Sequence, residues 1–190
     1  MSGSLRLFLA LDLPPQVRSS LEEAQRKLKR TGADVRWTRI PSIHLTVKFL
    51  GQVEAGRVEE IRRTLEPVAR ACPELDLRPA GAGVFPGPRN PRVVWIGLRG
   101  DLEGLAGLAR EVDQALTGLG FPAEKRPFRP HLTLGRVRSG RNKAGLIEGI
   151  LGLADFKGPE FRARELILFR SELKPSGAVY TPLERIPFLT

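Results

Sequence analysis

The chain has 190 residues, 41% hydrophobic and 27% charged, the make-up of a globular protein with room for one substantial core. Its 31 Lys and Arg against 21 Asp and Glu leave a net charge of +10, which points to a phosphate-rich partner, the alternative being a solvated basic surface. A lone cysteine, Cys72, excludes an internal disulfide, a cysteine zinc site and a redox pair. No apolar run is long enough for a bilayer and no signal-peptide pattern follows Met1, so a cytoplasmic protein is expected.

Residues 6–13 are nearly continuous apolar sequence stopped by Pro14 and Pro15, which reads as a buried strand. Pro15 suits a first helical turn, and Val17, Leu21, Ala24 and Leu28 mark one face of a helix ending near Gly32. Residues 35–38, with Trp37, form a short strand. Pro41 and Ser42 break the chain before a strand over 44–50 that Gly51 closes. Val58, Ile61, Leu65 and Val68 give a helical stripe over roughly residues 54–71, with Pro67 near its end. Cys72 is expected to be a small buried hydrophobe. A strand carrying Leu75 and Leu77 follows, then a Gly- and Pro-rich stretch over 79–91 and a buried strand over 92–98. Leu105, Leu108, Val112 and Leu116 share one face of a helix over 101–119, which Gly118 or Gly120 stops. A connector over 121–128 leads to a strand over about residues 131–137 and a helix within 140–151. Two final strands, 163–173 and 179–186, flank a turn at 174–177.

In order, β-α-β-β-α and then β-β-α-β-α-β-β form a loose internal duplication. The expected fold is α+β and bilobal. Two pseudo-symmetric lobes of mostly antiparallel sheet, with helices packed outside, face one cleft in a single domain over 1–190.

The chain's two histidines each open the same tetrad. These are His44-Leu45-Thr46-Val47 and His131-Leu132-Thr133-Leu134, set 131 − 44 = 87 positions apart. Alternate side chains of a strand share a face, so His and Thr point one way while the aliphatic residues point into the core. Two such strands on one cleft pair two imidazoles with two hydroxyls, a site for acid–base chemistry on a phosphate. An unperturbed imidazole has a pKa of about 6.5, so one ring can act as base while the other acts as acid. A cyclic phosphodiester needs that pairing on opposite sides of phosphorus. Thr46 and Thr133 are placed to donate hydrogen bonds to the non-bridging oxygens as charge grows there. With two histidines and no acidic cluster beside them, no metal is expected.

These residues resemble the 2H phosphoesterases, and within them the LigT-like RNA 2′,3′-cyclic phosphodiesterases, also called 2′-5′ RNA ligases. The similarity runs along the whole chain. It includes the opening over residues 6–14, the Phe49-Leu50-Gly51 exit, Arg92-Val93-Val94-Trp95, the lead-in over 126–130 and the closing Tyr180-Thr181-Pro182-Leu183.

The resemblance implies metal-independent, cofactor-free opening of a 2′,3′-cyclic phosphate to a 2′-phosphomonoester. The reverse chemistry would join such an end to a 5′-hydroxyl through a 2′-5′ bond without ATP. It further implies His44 as general acid and His131 as general base, with Thr46 and Thr133 holding the phosphate. Arg136 resembles a family arginine near that phosphate. Strand alternation puts 131, 133 and 135 on one face, so Arg136 reaches in only through a twist or bulge. Phe49 resembles an aromatic that stacks on the terminal base. Leu9 stands where some relatives carry a second one. Lys48 and Arg129 are expected to touch the RNA backbone, and Tyr180 to line the cleft.

The expected partner is an RNA end bearing a 2′,3′-cyclic phosphate, with no membrane involved and the protein a monomer. A small cyclic nucleotide, a 2′-5′ oligoadenylate or an ADP-ribose cyclic phosphate would suit the same site. A cleft that only grips phosphate would make a nucleotide- or RNA-binding module. Dependence on RNA length separates the first alternative, and turnover the second.

Overall fold

Apolar residues from one face of each of two sheets, and from the helices behind them, meet in one continuous core. In the computed structural model, which describes residues 3–175 and 177–189, both sheets are antiparallel. The first takes β1 (Ser4–Leu11), β3 (Leu45–Glu54), β8 (Glu165–Lys174) and β9 (Gly177–Pro187) in the order β3-β1-β8-β9. The second takes β2 (Val35–Trp37), β4 (Leu75–Phe85), β5 (Val93–Gly100), β6 (Leu132–Val137) and β7 (Phe161–Ala163) in the order β2-β6-β5-β4-β7. The helices are α1 (Pro15–Lys29), α2 (Val58–Ala71), α3 (Leu102–Gly118) and α4 (Lys143–Leu151). The α+β, two-lobed architecture is the expected one. The lobes interleave because β2 joins the second sheet, whereas β8 and β9 return to complete the first.

Helix α1 shows why the pattern is legible. Pro15 sits in its first turn, and Val17, Leu21, Ala24 and Leu28 are all buried. Arg26, Lys27 and Lys29 fill its last turn, where cations oppose the helix dipole, and Gly32 follows at a φ of 69°. Cys72 is buried, as expected of a small hydrophobe.

Several boundaries differ from expectation. Both tetrad strands begin one residue late, so His44 and His131 stand just before β3 and β6. Strand β3 does not close at Gly51. It runs on to Glu54, because Gly51 takes a φ of 74° at an irregularity that a side chain would resist. Strand β4 continues through Pro79. Strand β7 pairs only with Leu75, Asp76 and Leu77, so the outer edge beside Pro79 needs no donor from it; its carbonyl accepts from the Gly158 N–H. Residues 55–57 form a 3₁₀ turn, which delays α2 to Val58. The expected turn at 174–177 includes Ser176, which lies outside the described residues.

Candidate active site

In the first sheet, Ala10 of β1 lies opposite Thr46, Leu9 opposite Lys48 and Phe8 opposite Phe49. The register slips by one residue between Thr46 and Lys48, a bulge at Val47. Val47 and Lys48 therefore both turn toward the helix side, at 8% and 7% exposure, and Phe49 joins Thr46 on the opposite face. Phe49 is 65% exposed, with its ring 5.9 Å from that of Phe8.

The His44 ring lies over Phe8 at 4.6 Å and meets Tyr180 edge-on at 5.0 Å. Its Nδ1 is 3.0 Å from the Ser42 carbonyl. A carbonyl only accepts, so Nδ1 carries the hydrogen and the neutral ring keeps Nε2 as a lone pair. Burial among the aromatics lowers the His44 pKa to about 4. The bond to Ser42 opposes that fall, nearby Arg18 adds to it, and Asp12 works against it. Burial also pushes the Tyr180 hydroxyl above its ordinary value.

The second sheet repeats the device. Trp95 of β5 lies opposite Thr133, Val94 opposite Gly135 and Val93 opposite Arg136, so Leu134 is the extra residue. Leu134 and Gly135 are both buried, while Thr133 and Arg136 share the other face. This is the bulge that Arg136 needs in order to reach in. Gly135 is required there, since a Cβ would stand 2.7 Å from Val35 and 3.0 Å from Trp37. His131 places Nδ1 2.7 Å from the Arg129 carbonyl and meets Phe85 edge-on at 5.1 Å. Both imidazoles therefore donate to the carbonyl two residues upstream. Trp95 lies flat across Gly83, where a Cβ would come within 2.3 Å of the indole. Its Nε1 is buried without a partner among the described residues.

Several expected contacts take a different form. Lys48, expected to touch the RNA backbone, instead lies buried on the helix side, where its Nζ bonds Asp113 at 2.5 Å and the Pro122 carbonyl at 2.9 Å. The Val47 bulge inverts its phase. Arg129 is exposed and reaches His131 through its carbonyl, not its side chain. Leu9 is core, and the aromatic beside His44 is its neighbour Phe8.

Arg18 goes unread in the sequence. It donates to the carbonyls of Leu13, Ile40 and Ile43 and to Asp12, clamping the segment that enters His44. Asp12, six residues before it, was the available signal, but its other partners are backbone oxygens, two of them from a distant turn. Among the described residues no group of three or more His, Cys, Asp or Glu side chains could hold a metal ion. Among them, too, no helix is long and apolar enough to cross a membrane.

The chain's sequence and fold recur in known proteins. The model of LigT-like phosphoesterases matches the chain twice, over residues 11–95 and 96–180, with one tetrad in each match. The RNA 2′,3′-cyclic phosphodiesterase of Methanothermobacter thermautotrophicus is 37% identical over 180 residues, which is 95% of this chain and 97% of that protein. That of Thermotoga maritima is 32% identical over 185 residues, 97% of this chain and 96% of its own. A crystal structure from Thermus thermophilus superposes with a TM-score of 0.81 at 30% identity, over 97% of this chain and 98% of that one. E. coli LigT complexed with 3′-AMP does so with a TM-score of 0.79 at 26% identity, over 99% and 100%. With two matches spanning nearly the whole length, the chain belongs to the LigT-like family of 2H phosphoesterases.

Proposed function

We propose that the protein hydrolyses the 2′,3′-cyclic phosphate at the end of an RNA strand to a 2′-phosphomonoester. The observation that carries this reading is the matched pair of imidazoles. Each is fixed by a bond from Nδ1 to a backbone carbonyl, at 3.0 Å for His44 and 2.7 Å for His131, which leaves each Nε2 free for proton transfer. Relatives that align along their whole length are named for this activity.

In this reading His131 takes a proton from water as the water oxygen attacks phosphorus. The P–O3′ bond opposite breaks, and His44 gives its proton to the departing O3′. The products are a 2′-phosphate and a free 3′-hydroxyl, and the two rings return to their starting protonation by exchange with solvent. Thr46 and Thr133 donate to the non-bridging oxygens, and the Arg136 guanidinium adds a charged, two-point contact. His44 must be protonated to act as the acid, yet burial holds its pKa at about 4. A phosphate anion beside the ring favours the charged form, so substrate binding supplies the missing stabilisation. A 5′-hydroxyl in place of water would give a 2′-5′ bond without ATP. No metal enters these steps, and one chain holds both tetrads, so a monomer suffices.

The test is hydrolysis of a short RNA ending in a 2′,3′-cyclic phosphate, in EDTA, between about pH 5 and 9, with the terminal product identified. A 2′-phosphate product formed in EDTA is expected. A 3′-phosphate product, or turnover that EDTA abolishes, overturns the reading.

A further inference from the structure

Arg136 heads a row of cations. In the register of β2 against β6, Arg36 lies directly opposite it. One residue past the end of β6, the Arg138 backbone N–H donates to the Asp34 carbonyl at 2.9 Å, which continues the same ladder. Alternation carries the side chains of Arg36, Arg136 and Arg138 to one face, the face that also bears Thr133. All three arginines are exposed.

Like charges placed directly across an antiparallel pair cost stability, so Arg36 facing Arg136 asks for an external partner. Among the described residues none of the three stands in an ion pair. The arginines on and just before α2 behave differently. Arg57, Arg62, Arg63 and Arg70 are each matched to Glu59, Glu60 or Glu66 of that helix. Asp34 is the acid nearest the row in the ladder, and its carboxylate receives the Ser139 hydroxyl. Beside the reacting groups, burial raises the pKa of the Tyr180 hydroxyl, and Arg6 of the other sheet and Arg136 both draw it down against that larger effect.

We infer that Arg36 and Arg138, flanking the Arg136 that meets the terminal phosphate, form a track for the backbone phosphates of the RNA strand that precedes the cyclic end. This rests on the proposed function and deepens it, since it assigns residues outside the two tetrads to the strand upstream of the reacting end. Arg136 and Arg138 lie about 6.6 Å apart along the strand direction, and their long side chains can reach successive phosphates. The row leads away from Thr133, where the terminal phosphate sits in that reading. Occupying it releases counterions, so the advantage of a longer substrate falls as salt rises. A mononucleotide has nothing to lay on it.

The experiment compares kcat/KM for a nucleoside 2′,3′-cyclic phosphate and for a short oligonucleotide with the same terminus, across salt concentrations. It uses the wild-type protein, Arg36→Ala, Arg36→Ala/Arg138→Ala and Arg36→Glu. Both positions are exposed, so the variants should fold, and circular dichroism confirms it. The wild type is expected to favour the oligonucleotide. The double variant should lose about tenfold of that preference, its salt slope becoming shallower by about 1.4, with mononucleotide turnover unchanged. Arg36→Glu should lose more than a single neutral change.

Equal wild-type rates on both substrates, or an undiminished preference in the double variant, would overturn the track. Failure to turn over either substrate would instead overturn the hydrolase reading. The salt slope of oligonucleotide binding in the same variants then still decides the track.

Discussion

The two halves of the cleft use one backbone device for two purposes. In each, a histidine donates to the carbonyl two residues upstream, a threonine follows two residues later, and a bulge comes next. The bulge advances the strand by one residue, so the third position after the threonine, rather than the second, joins it on the cleft face. That position is Phe49 in the first half and Arg136 in the second. One lobe thereby offers an exposed aromatic plane and the other a guanidinium. The histidine surroundings differ in the same sense: His44 is boxed by Phe8, Phe169 and Tyr180, whereas His131 meets the edge of Phe85. Duplication supplied the symmetry of the two His-x-Thr strands, and the bulge supplied a slot in which the halves diverged.

If the halves are unlike in environment but equal in necessity, His44→Ala and His131→Ala should each lower kcat by about 10³-fold. The double variant should fall little further, since the two act as a unit. Retention of more than a tenth of wild-type turnover in either folded single variant breaks the two-imidazole mechanism.

The boxed histidine carries a stability signature as well. The unfolded chain protonates His44 below its ordinary value of 6.5, while the fold resists until about 4. The folded state binds fewer protons in that window. Its stability is therefore fully present above pH 6.5 and is lost as the pH falls toward 4, by at most about 3 kcal/mol. His44→Gln should flatten that loss in denaturation curves. The imidazole resonance of His44 should titrate near pH 4 in the free protein and move upward when a nucleoside 2′-phosphate is bound. An unmoved resonance removes the account of how His44 becomes an acid.

The lead-ins to the two histidines are secured differently, and this too can be broken. Arg18 holds the first through three carbonyls. Lys48 and Asp113 hold the second: Asp113 accepts from both the Lys48 ammonium and the Glu124 N–H, on the connector that reaches His131. Lys48 has 6% of its side chain exposed and Asp113 22%, so Lys48→Met should cost about 2 kcal/mol in chemical denaturation. The salt slope of oligonucleotide binding should stay unchanged. A shallower slope would return Lys48 to the RNA surface.

Much of this could be read from residues that repeat or alternate. The two tetrads, the apolar stripe of α1 and the order of elements follow from local period and from turn residues. The bulges could not be read, because one extra residue is defined only against the opposite strand, and here it reverses every later side chain. Lys48 moved into the interior for that reason, and by the same means Arg136 came to share the face of Thr133. Arg18 left only Asp12 as a signal, because its other partners are main-chain oxygens at residues 13, 40 and 43, which carry no residue signature. Pro79 argued against a continuous strand from sequence alone, and only the short length of β7 explains why it is tolerated.

The smallest expected effect tests the divergence itself. Phe49 is 65% exposed, so removing its ring should leave the stability of the fold unchanged to within about 0.5 kcal/mol. If it stacks on the terminal base, Phe49→Ala should raise KM by about tenfold through the loss of roughly 1–2 kcal/mol of stacking. That loss should barely depend on salt, because no counterion is released by a ring. Arg136→Ala should behave in the opposite way, weakening binding most at low salt, and Arg136→Lys should restore charge but not the two-point contact. The two variants thus separate plane from charge at equivalent positions of the repeat. A Phe49→Ala protein that is destabilised, yet binds substrate normally, would make Phe49 a packing residue of the Phe8 cluster and leave Arg136 as the one member of the pair that meets the substrate.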